Sequence, residues 1–332
     1  MREKGNIEIH FARGTSQRYN RRMVSPDAEL TAVVCDLAIE VGFSRAGVAP
    51  AGDLGCSEKF DEWVARGWHA DMTYMGLHES KRRRPDLLVP GAVSVLSLAV
   101  GYAPDGEDST EGAPGYIARF ARGRDYHKVL KRWCRELMDR LCEIAPDFAG
   151  RAFVDTAPVM ERSLAAAAGL GWIGRNGCLI VDGLGSYVVL CEIVSNLPLV
   201  PGSPVERACD ECDACIRACP TGALDADGLV DSRKCLSYLT IEHRGPATEE
   251  MISCNRSLYG CDLCQEACPH NSDLTPGDDE LISWNGPEIR LADVGGWTAE
   301  DWDIATRGRA IRRAKYDMFI RNAVTAAARL VE

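Results

Sequence analysis

The sequence predicts an α/β (α+β) domain, then a compact cysteine-rich domain, then a short helical segment. Three observations predict it. Residues 25–200 alternate strand-length apolar runs with helical stretches around one sheet. Nine of the fifteen cysteines fall between 209 and 268. After about 275 the chain turns polar and closes on a basic helical segment, "RGRAIRRAKYDMFIRNAVTAAARL". The expected divisions are a flexible basic extension (1–24), the α/β domain (25–200), the cysteine domain (201–275) and the C-terminal helices (276–332).

Leu30, Val33, Val34, Leu37, Ala38 and Val41 have helical spacing within 28–47, and that helix stops near Gly42. A second helix is expected over 57–68. "PGAVSVLSLAVGY" reads as a buried strand opened by a Pro-Gly turn, followed by a surface loop over 103–115. Segment 126–144 is the clearest amphipathic helix. Tyr126, Val129, Leu130, Trp133, Leu137, Met138 and Leu141 share its apolar face, and Cys134 and Cys142 read as core residues on or beside it. "RAFV" is a strand leading to Asp155, and Pro158 opens a helix over "VMERSLAAAAG". "CLIVD" and "YVVLCEIV" read as two further strands, and "LPLVPGSPVE" as a linker.

The chain has 332 residues, 46% of them hydrophobic, enough to bury a core divided between two or three domains. No run approaches the roughly 20 apolar residues of a membrane span. The basic N-terminus has no apolar centre and is no secretory signal. A cytoplasmic protein without membrane association is expected, and a monomer. A reducing compartment argues against a disulfide framework for fifteen cysteines. The net charge of −11 argues against indiscriminate nucleic-acid binding, though local basic patches remain at 81–84, 119–132 and 307–321. The last, with Arg312, Arg313 and Lys315, carries six Lys or Arg against one Asp.

"CDECDACIRACP" places Cys209, Cys212, Cys215 and Cys219 at the spacing of a bacterial ferredoxin loop. There three cysteines reach one 4Fe–4S cube and the fourth reaches a second cluster. "CDLCQEACPHN" adds Cys261, Cys264 and Cys268, again ending on proline. Two clusters need eight thiolates and the runs give seven, so the eighth is Cys235 or Cys254. The grouping adopted is Cys209, Cys212, Cys215 and Cys268 for the first cluster, and Cys219, Cys261 and Cys264 with Cys235 for the second. Structural zinc fits less well, because CxxCxxC places a third cysteine too early for a two-plus-two site.

"GLGWIG" (169–174) matches GxGxxG, but a helix precedes it and a strand follows, the reverse of the dinucleotide fingerprint. Close-packing glycines fit it better. Asp155, just past a strand end, is open to two readings. It is either an N-cap or a carboxyl whose raised pKa suits it to donate a proton.

Taken together, the cysteine runs, "VDTAPVMERSLAAAAGLGWIGRN", "CLSYLTIE" and "LYGCDLCQEACPHN" resemble the epoxyqueuosine reductases over about residues 28–325. "RFARGRDYHKVL" and "AIRRAKYDMFIRNA" also look like family segments. The resemblance implies an oxidoreductase of queuosine biosynthesis that acts on the anticodon loop of tRNA. It implies cobalamin on an α/β domain similar to that of reductive dehalogenases, and two 4Fe–4S clusters in a ferredoxin-like domain. An external one-electron donor such as a flavodoxin or ferredoxin is implied as well. The family's proton donor falls on Asp155 and its cluster ligands on the eight cysteines above, with Cys235 in place of Cys254. Its cobalamin contacts fall on Asp155, Leu179, Leu190, Ile193 and Glu242, with Cys261 and Asp262. Tyr238 falls on the tRNA side, and the basic 307–321 segment suits the phosphate backbone. Departures are Arg175 for a usual Lys, Leu77 for a basic residue and Cys254 for a glycine. Many members also continue past the position of Glu332 into HEAT-like helices.

Two other functions compete. One keeps the cofactors but reduces a small molecule such as an organohalide. The other is an iron–sulfur electron carrier, which has no use for about 175 residues of α/β domain ahead of its clusters.

Overall fold

In the computed structural model of the chain, residues 10–11, 26–55, 58–106 and 114–330 are described. The central sheet has five strands in the order β1-β5-β8-β3-β2. They are β1 (His10–Phe11), β2 (Arg45–Pro50), β3 (Ser94–Gly101), β5 (Ala149–Phe153) and β8 (Val188–Ser195). Every neighbouring pair is antiparallel, which makes the domain α+β. β3 is buried along its whole length, which explains its near-continuous apolar sequence.

Helices cover both faces. On one side lie α1 (Ala28–Val41) and α4 (Tyr126–Ile144), whose Val34, Ala38, Leu130 and Leu137 meet Leu96, Leu98 and Ile193. Full burial of a side chain such as Leu137 is worth about 1.5–3 kcal/mol. On the other side α5 (Glu161–Ala167) sets Leu164 and Ala165 against Val95, Ala99 and Val194. Cys134 is fully buried in the first core, and Cys142 packs against it from a partly buried position. α2 (Glu58–Ala65) and α3 (Glu79–Arg83) form the segment between β2 and β3.

Several expectations change. α1 ends at Val41 with Gly42 as its cap at φ 124°, where the sequence expects it to stop, but residues 45–50 form β2, a strand the sequence reading missed. β1, within the expected flexible extension, pairs with β5, while the rest of that extension lies outside the described residues. So does 107–113 of the expected surface loop. "CLIVD" supplies only β7 (Leu179–Ile180), which pairs with β6 (Trp172–Ile173) outside the central sheet. The glycines of "GLGWIG" do serve close packing. Gly169 has φ +80°, and a Cβ on Gly171 would sit 2.0 Å from the Ile180 carbonyl oxygen. The proline-rich stretch lies against the domain, its Gly202 N–H bonded to Val48 O at 2.8 Å.

The cysteine domain holds four short helices: α6 (Ala214–Ala218), α7 (Leu236–Ile241), α8 (Glu249–Cys254) and α9 (Leu263–Glu266). Its strand β9 (Ser257–Tyr259) pairs in parallel with β4 (Tyr116–Ile117) of the preceding domain, so the two units share backbone pairing. α10 (Asp279–Ile282), α11 (Leu291–Val294), α12 (Ala299–Thr306) and α13 (Tyr316–Ala327) close the chain. Asn322 of α13 donates to Thr240 O and Leu258 O, which ties α13 to α7 and β9. No helix among the described residues is long and apolar enough to cross a membrane.

Candidate functional site

Asp155 follows β5 at φ +48°, a left-handed conformation that Asp tolerates better than most residues. Its backbone N–H donates to Glu161 Oε1 at 2.7 Å, in the first turn of α5. Its Oδ2 accepts the Tyr126 hydroxyl and lies 3.5 Å from His127 Nε2. Tyr126 and His127 open α4, with their rings stacked at 4.1 Å. Asp125, the N-cap of α4, accepts from the His127 backbone N–H and places its Oδ1 2.8 Å from His127 Nδ1. The sequence therefore folds Asp125, His127 and Asp155 into one line. The N-cap reading of Asp155 fails, because Met160 occupies that position of α5 and the Asp155 carboxyl faces α4. Its side chain is 56% exposed, so it stands open to a substrate rather than buried at a strand end.

Burial disfavours a charged His127, but its hydrogen bonds to Asp125 and Asp155 and their charges prevail and push it up to about 9. Burial, with the nearby Asp155 charge, raises Tyr126 and keeps it a donor. Burial also lifts Glu161 to about 8, again helped by Asp155. Glu192 on β8 is fully buried and raised well above its ordinary value, by burial first and then by the Glu161 charge. Its Oε2 has no partner. Two buried carboxyls, both shifted towards the neutral form, thus lie behind the exposed one.

Tyr74, Glu242 and Arg313 lie within electrostatic reach of one another and of Asp155. After burial, the charges that act most on the Tyr74 hydroxyl are those of Glu242, Arg313 and Asp155. Arg313 holds Glu242 in a fork, Nε to Oε1 at 2.6 Å and Nη2 to Oε2 at 2.8 Å. The structure thus brings together a residue expected at the cofactor and one expected at tRNA. Arg312 instead bonds Asp303, at 2.6 Å, and Lys315 is exposed. Tyr238, expected on the tRNA side, is held by Asp71. It is 7% exposed, and its hydroxyl both donates to Asp71 Oδ2 and accepts from Asp71 N–H.

The expected cofactor contacts do not share one face. Leu179 and Leu190 belong to the core under α5, whereas Ile193 points to the opposite core under α4. The odd spacing of 190 and 193 on one strand requires this. Asp262 is buried and occupied, accepting the Arg119 N–H at 2.7 Å. Burial raises Asp262, opposed by that bond and the Arg119 charge.

The cysteines separate into two sets. Cys209, Cys212, Cys215 and Cys268 line one open pocket together with Arg175, Asn176 and His270. In the other set, the thiols of Cys261, Cys235 and Cys219 all act on Cys264, after burial and the nearby Cys178. Cys235 acts on Cys261, which burial pushes up to about 12, and Cys219 acts on Cys235. Cys254 turns away, with its Sγ 3.6 Å from Pro220 O, which favours Cys235 as the eighth ligand. Among the described residues no three His, Cys, Asp or Glu converge closely enough to hold a single ion. Tetrahedral zinc needs its sulfurs about 2.3 Å from one point. Thiols spread around a cavity fit the corners of a cubane.

Sequence reading missed Tyr74, Asp125, His127, Glu161, Glu192 and Asn176 as site residues, and placed Tyr126 only on the apolar stripe of its helix. The signal available was "DYH" at a helix start, since an N-cap aspartate reaches the residue two positions on.

The sequence profile described as "Epoxyqueuosine reductase QueG, DUF1730" matches residues 82–156, and that of a 4Fe-4S double cluster binding domain matches 208–271. An epoxyqueuosine reductase of Xanthomonas campestris is 39% identical over 313 residues, covering 90% of this chain and 87% of its own. The chain belongs to the epoxyqueuosine reductase family. A solved epoxyqueuosine reductase with a tRNA-Tyr epoxyqueuosine-modified stem loop matches at TM-score 0.80 and 27% identity, over 90% of this chain and 80% of that one. One from Bacillus subtilis, with its catalytic aspartate loop swung out of the active site, matches at TM-score 0.79 and 27% identity. It covers 90% of this chain and 81% of that one. Both cysteine sets fall within the double-cluster match, so the cysteine domain of this epoxyqueuosine reductase is a two-cluster 4Fe–4S domain.

Proposed function

We propose that Asp155 is the proton donor in this family's reaction, the reduction of epoxyqueuosine to queuosine in tRNA. Removing the epoxide oxygen as water consumes two electrons and two protons. Cobalamin and the two 4Fe–4S clusters, when bound, would supply the electrons. The chain's own residues manage the proton. Negative charge grows on the oxygen as the C–O bond breaks, and an acid placed beside it lowers that barrier. Asp155 is open to the substrate, and Tyr126 and His127 stabilise the carboxylate left after transfer. His127, with Asp125 behind it, holds an ionisable proton 3.5 Å from the same oxygen and is the source of a replacement.

Residues present also suit the larger partners. Tyr74, 44% exposed and within reach of the Asp155 charge, offers apolar surface for a flat corrin, and Leu77, 56% exposed, adjoins it. Lys315 is an exposed cation near the Arg313–Glu242 pair, placed to meet tRNA phosphate. The exposed Cys212 marks the first cluster as the point where an external one-electron donor delivers its electrons.

The observation that carries this reading is the Asp125–His127–Asp155 line, which ends on an exposed carboxyl. The test is anaerobic incubation of reconstituted protein with epoxyqueuosine-containing tRNA and a reductant. Mass spectrometry of the digested nucleosides should show loss of one oxygen. Unaltered epoxyqueuosine alongside reduction of an organohalide would replace this reading with the small-molecule one.

A further inference from the structure

We propose that the side-chain amide of Asn176 donates an N–H···S hydrogen bond to the first cluster and raises that cluster's reduction potential. The inference rests on the reading that Cys209, Cys212, Cys215 and Cys268 hold a 4Fe–4S cluster.

Asn176 sits on the turn between β6 and β7, outside the cysteine domain, and is 6% exposed. Its Oδ1 accepts the Cys178 backbone N–H at 3.1 Å, which fixes which end of the amide is oxygen. The other end, Nδ2, is buried and has no partner. Asn176 lines the cavity that those four cysteines enclose. A buried amide donor without an acceptor is costly. Cluster sulfur is the acceptor this cavity would supply.

The turn is held for this purpose. Arg175 donates to Asp210 O at 2.9 Å and to Cys212 O at 3.2 Å, tying the turn to the loop that carries Cys209 and Cys212. Gly177 N–H closes the turn onto Gly174 O at 2.9 Å. Asn271, another asparagine near this cavity, spends its amide on Ser186 and Gln265.

The sign follows from charge. Reduction adds one electron to the cluster, and an N–H dipole aimed at its sulfur stabilises the reduced form more than the oxidised one. The outer cluster then accepts an electron from a weaker donor than it otherwise could. Only the first cluster is affected.

The test is an anaerobic redox titration, followed by electron paramagnetic resonance, of the cluster-loaded full chain. Iron content is measured first, and absence of two clusters would sink the cluster reading itself. With clusters present, Asn176→Leu removes the donor at similar size. One cluster's reduced-to-oxidised ratio at fixed potential should fall about tenfold, a shift of about 59 mV for one electron. Asn176→Asp keeps an acceptor for Cys178 but exchanges the donor for a negative charge, and should fall further. The other cluster should not move. Unchanged potentials in both variants with intact iron overturn the proposal. Should either variant lose iron, unsubstituted protein carrying asparagine labelled with ¹⁵N in the side chain decides instead. A label-dependent nitrogen coupling to a reduced cluster is expected, and its absence refutes the bond. Neither measurement involves tRNA, so failure here leaves the epoxide chemistry untouched.

Discussion

The Tyr126 hydroxyl donates a hydrogen bond to Oδ2 of Asp155, joining the first turn of α4 to the loop after β5. One helix start therefore aims the proposed acid twice, through Tyr126 and through His127 3.5 Å from the same oxygen. This gives a graded expectation. Asp155→Asn should lower turnover by a factor on the order of 10²–10⁴, the usual worth of a general acid. Tyr126→Phe should cost less. Cobalamin and iron content should match the unsubstituted protein in both. Full turnover in Asp155→Asn removes the assigned role.

His127 sets the alkaline limb. Its pKa of about 9 means the imidazolium is present below that pH and is lost as pH rises through it. Single-turnover rates should therefore fall above about pH 9. In His127→Asn that limb should disappear from an already slower reaction. A limb that persists unchanged would assign it to another group.

Iron analysis separates the two candidates for the eighth ligand. Cys235→Ser should lose one cluster, leaving about half the iron, because Cys235 acts directly on Cys261 and Cys264. Cys254→Ser should keep both, since its thiol faces the Pro220 carbonyl. The reverse pattern would reassign the second cluster.

The buried carboxyls make stability depend on pH. Glu161 rises from 4.5 to about 8 in the folded chain, and burial holds Glu192 well above its ordinary value. Between about pH 4.5 and 8 the folded state therefore holds more protons than the unfolded one, and stability falls as pH rises. His127, raised above its ordinary value, works in the same direction up to about 9. The melting temperature of the loaded protein should decline from pH 5 to pH 8, less steeply in Glu192→Gln. Parallel slopes would show that Glu192 is not the group being ionised.

Core packing gives an independent check on the sheet. Leu137 is fully buried between α4 and the sheet, and Leu137→Ala should cost about 2–5 kcal/mol. An effect well below 1 kcal/mol in denaturant unfolding would mean that α4 is not packed as described.

What the sequence determined by itself was local or periodic. The α4 stripe over 126–144 and the buried run of β3 were legible because one face of a helix, or both faces of a covered strand, must be apolar. The cluster loop was legible because thiolate spacing along a tight turn is a property of a few consecutive residues. Asp155 stood out just past a strand end, but its two readings could not be separated there. Only the tertiary structure removed the N-cap reading, by placing Met160 at the cap and bringing Tyr126 and His127 to the Asp155 carboxyl from 28 or more positions away. The sheet order, Glu192 behind Glu161, and the Asn176 amide at a cavity of distant cysteines were decided the same way. Each depends on which segments pack together. Burial and charge then fix what those side chains can do, and neither can be read from a residue's neighbours in the chain.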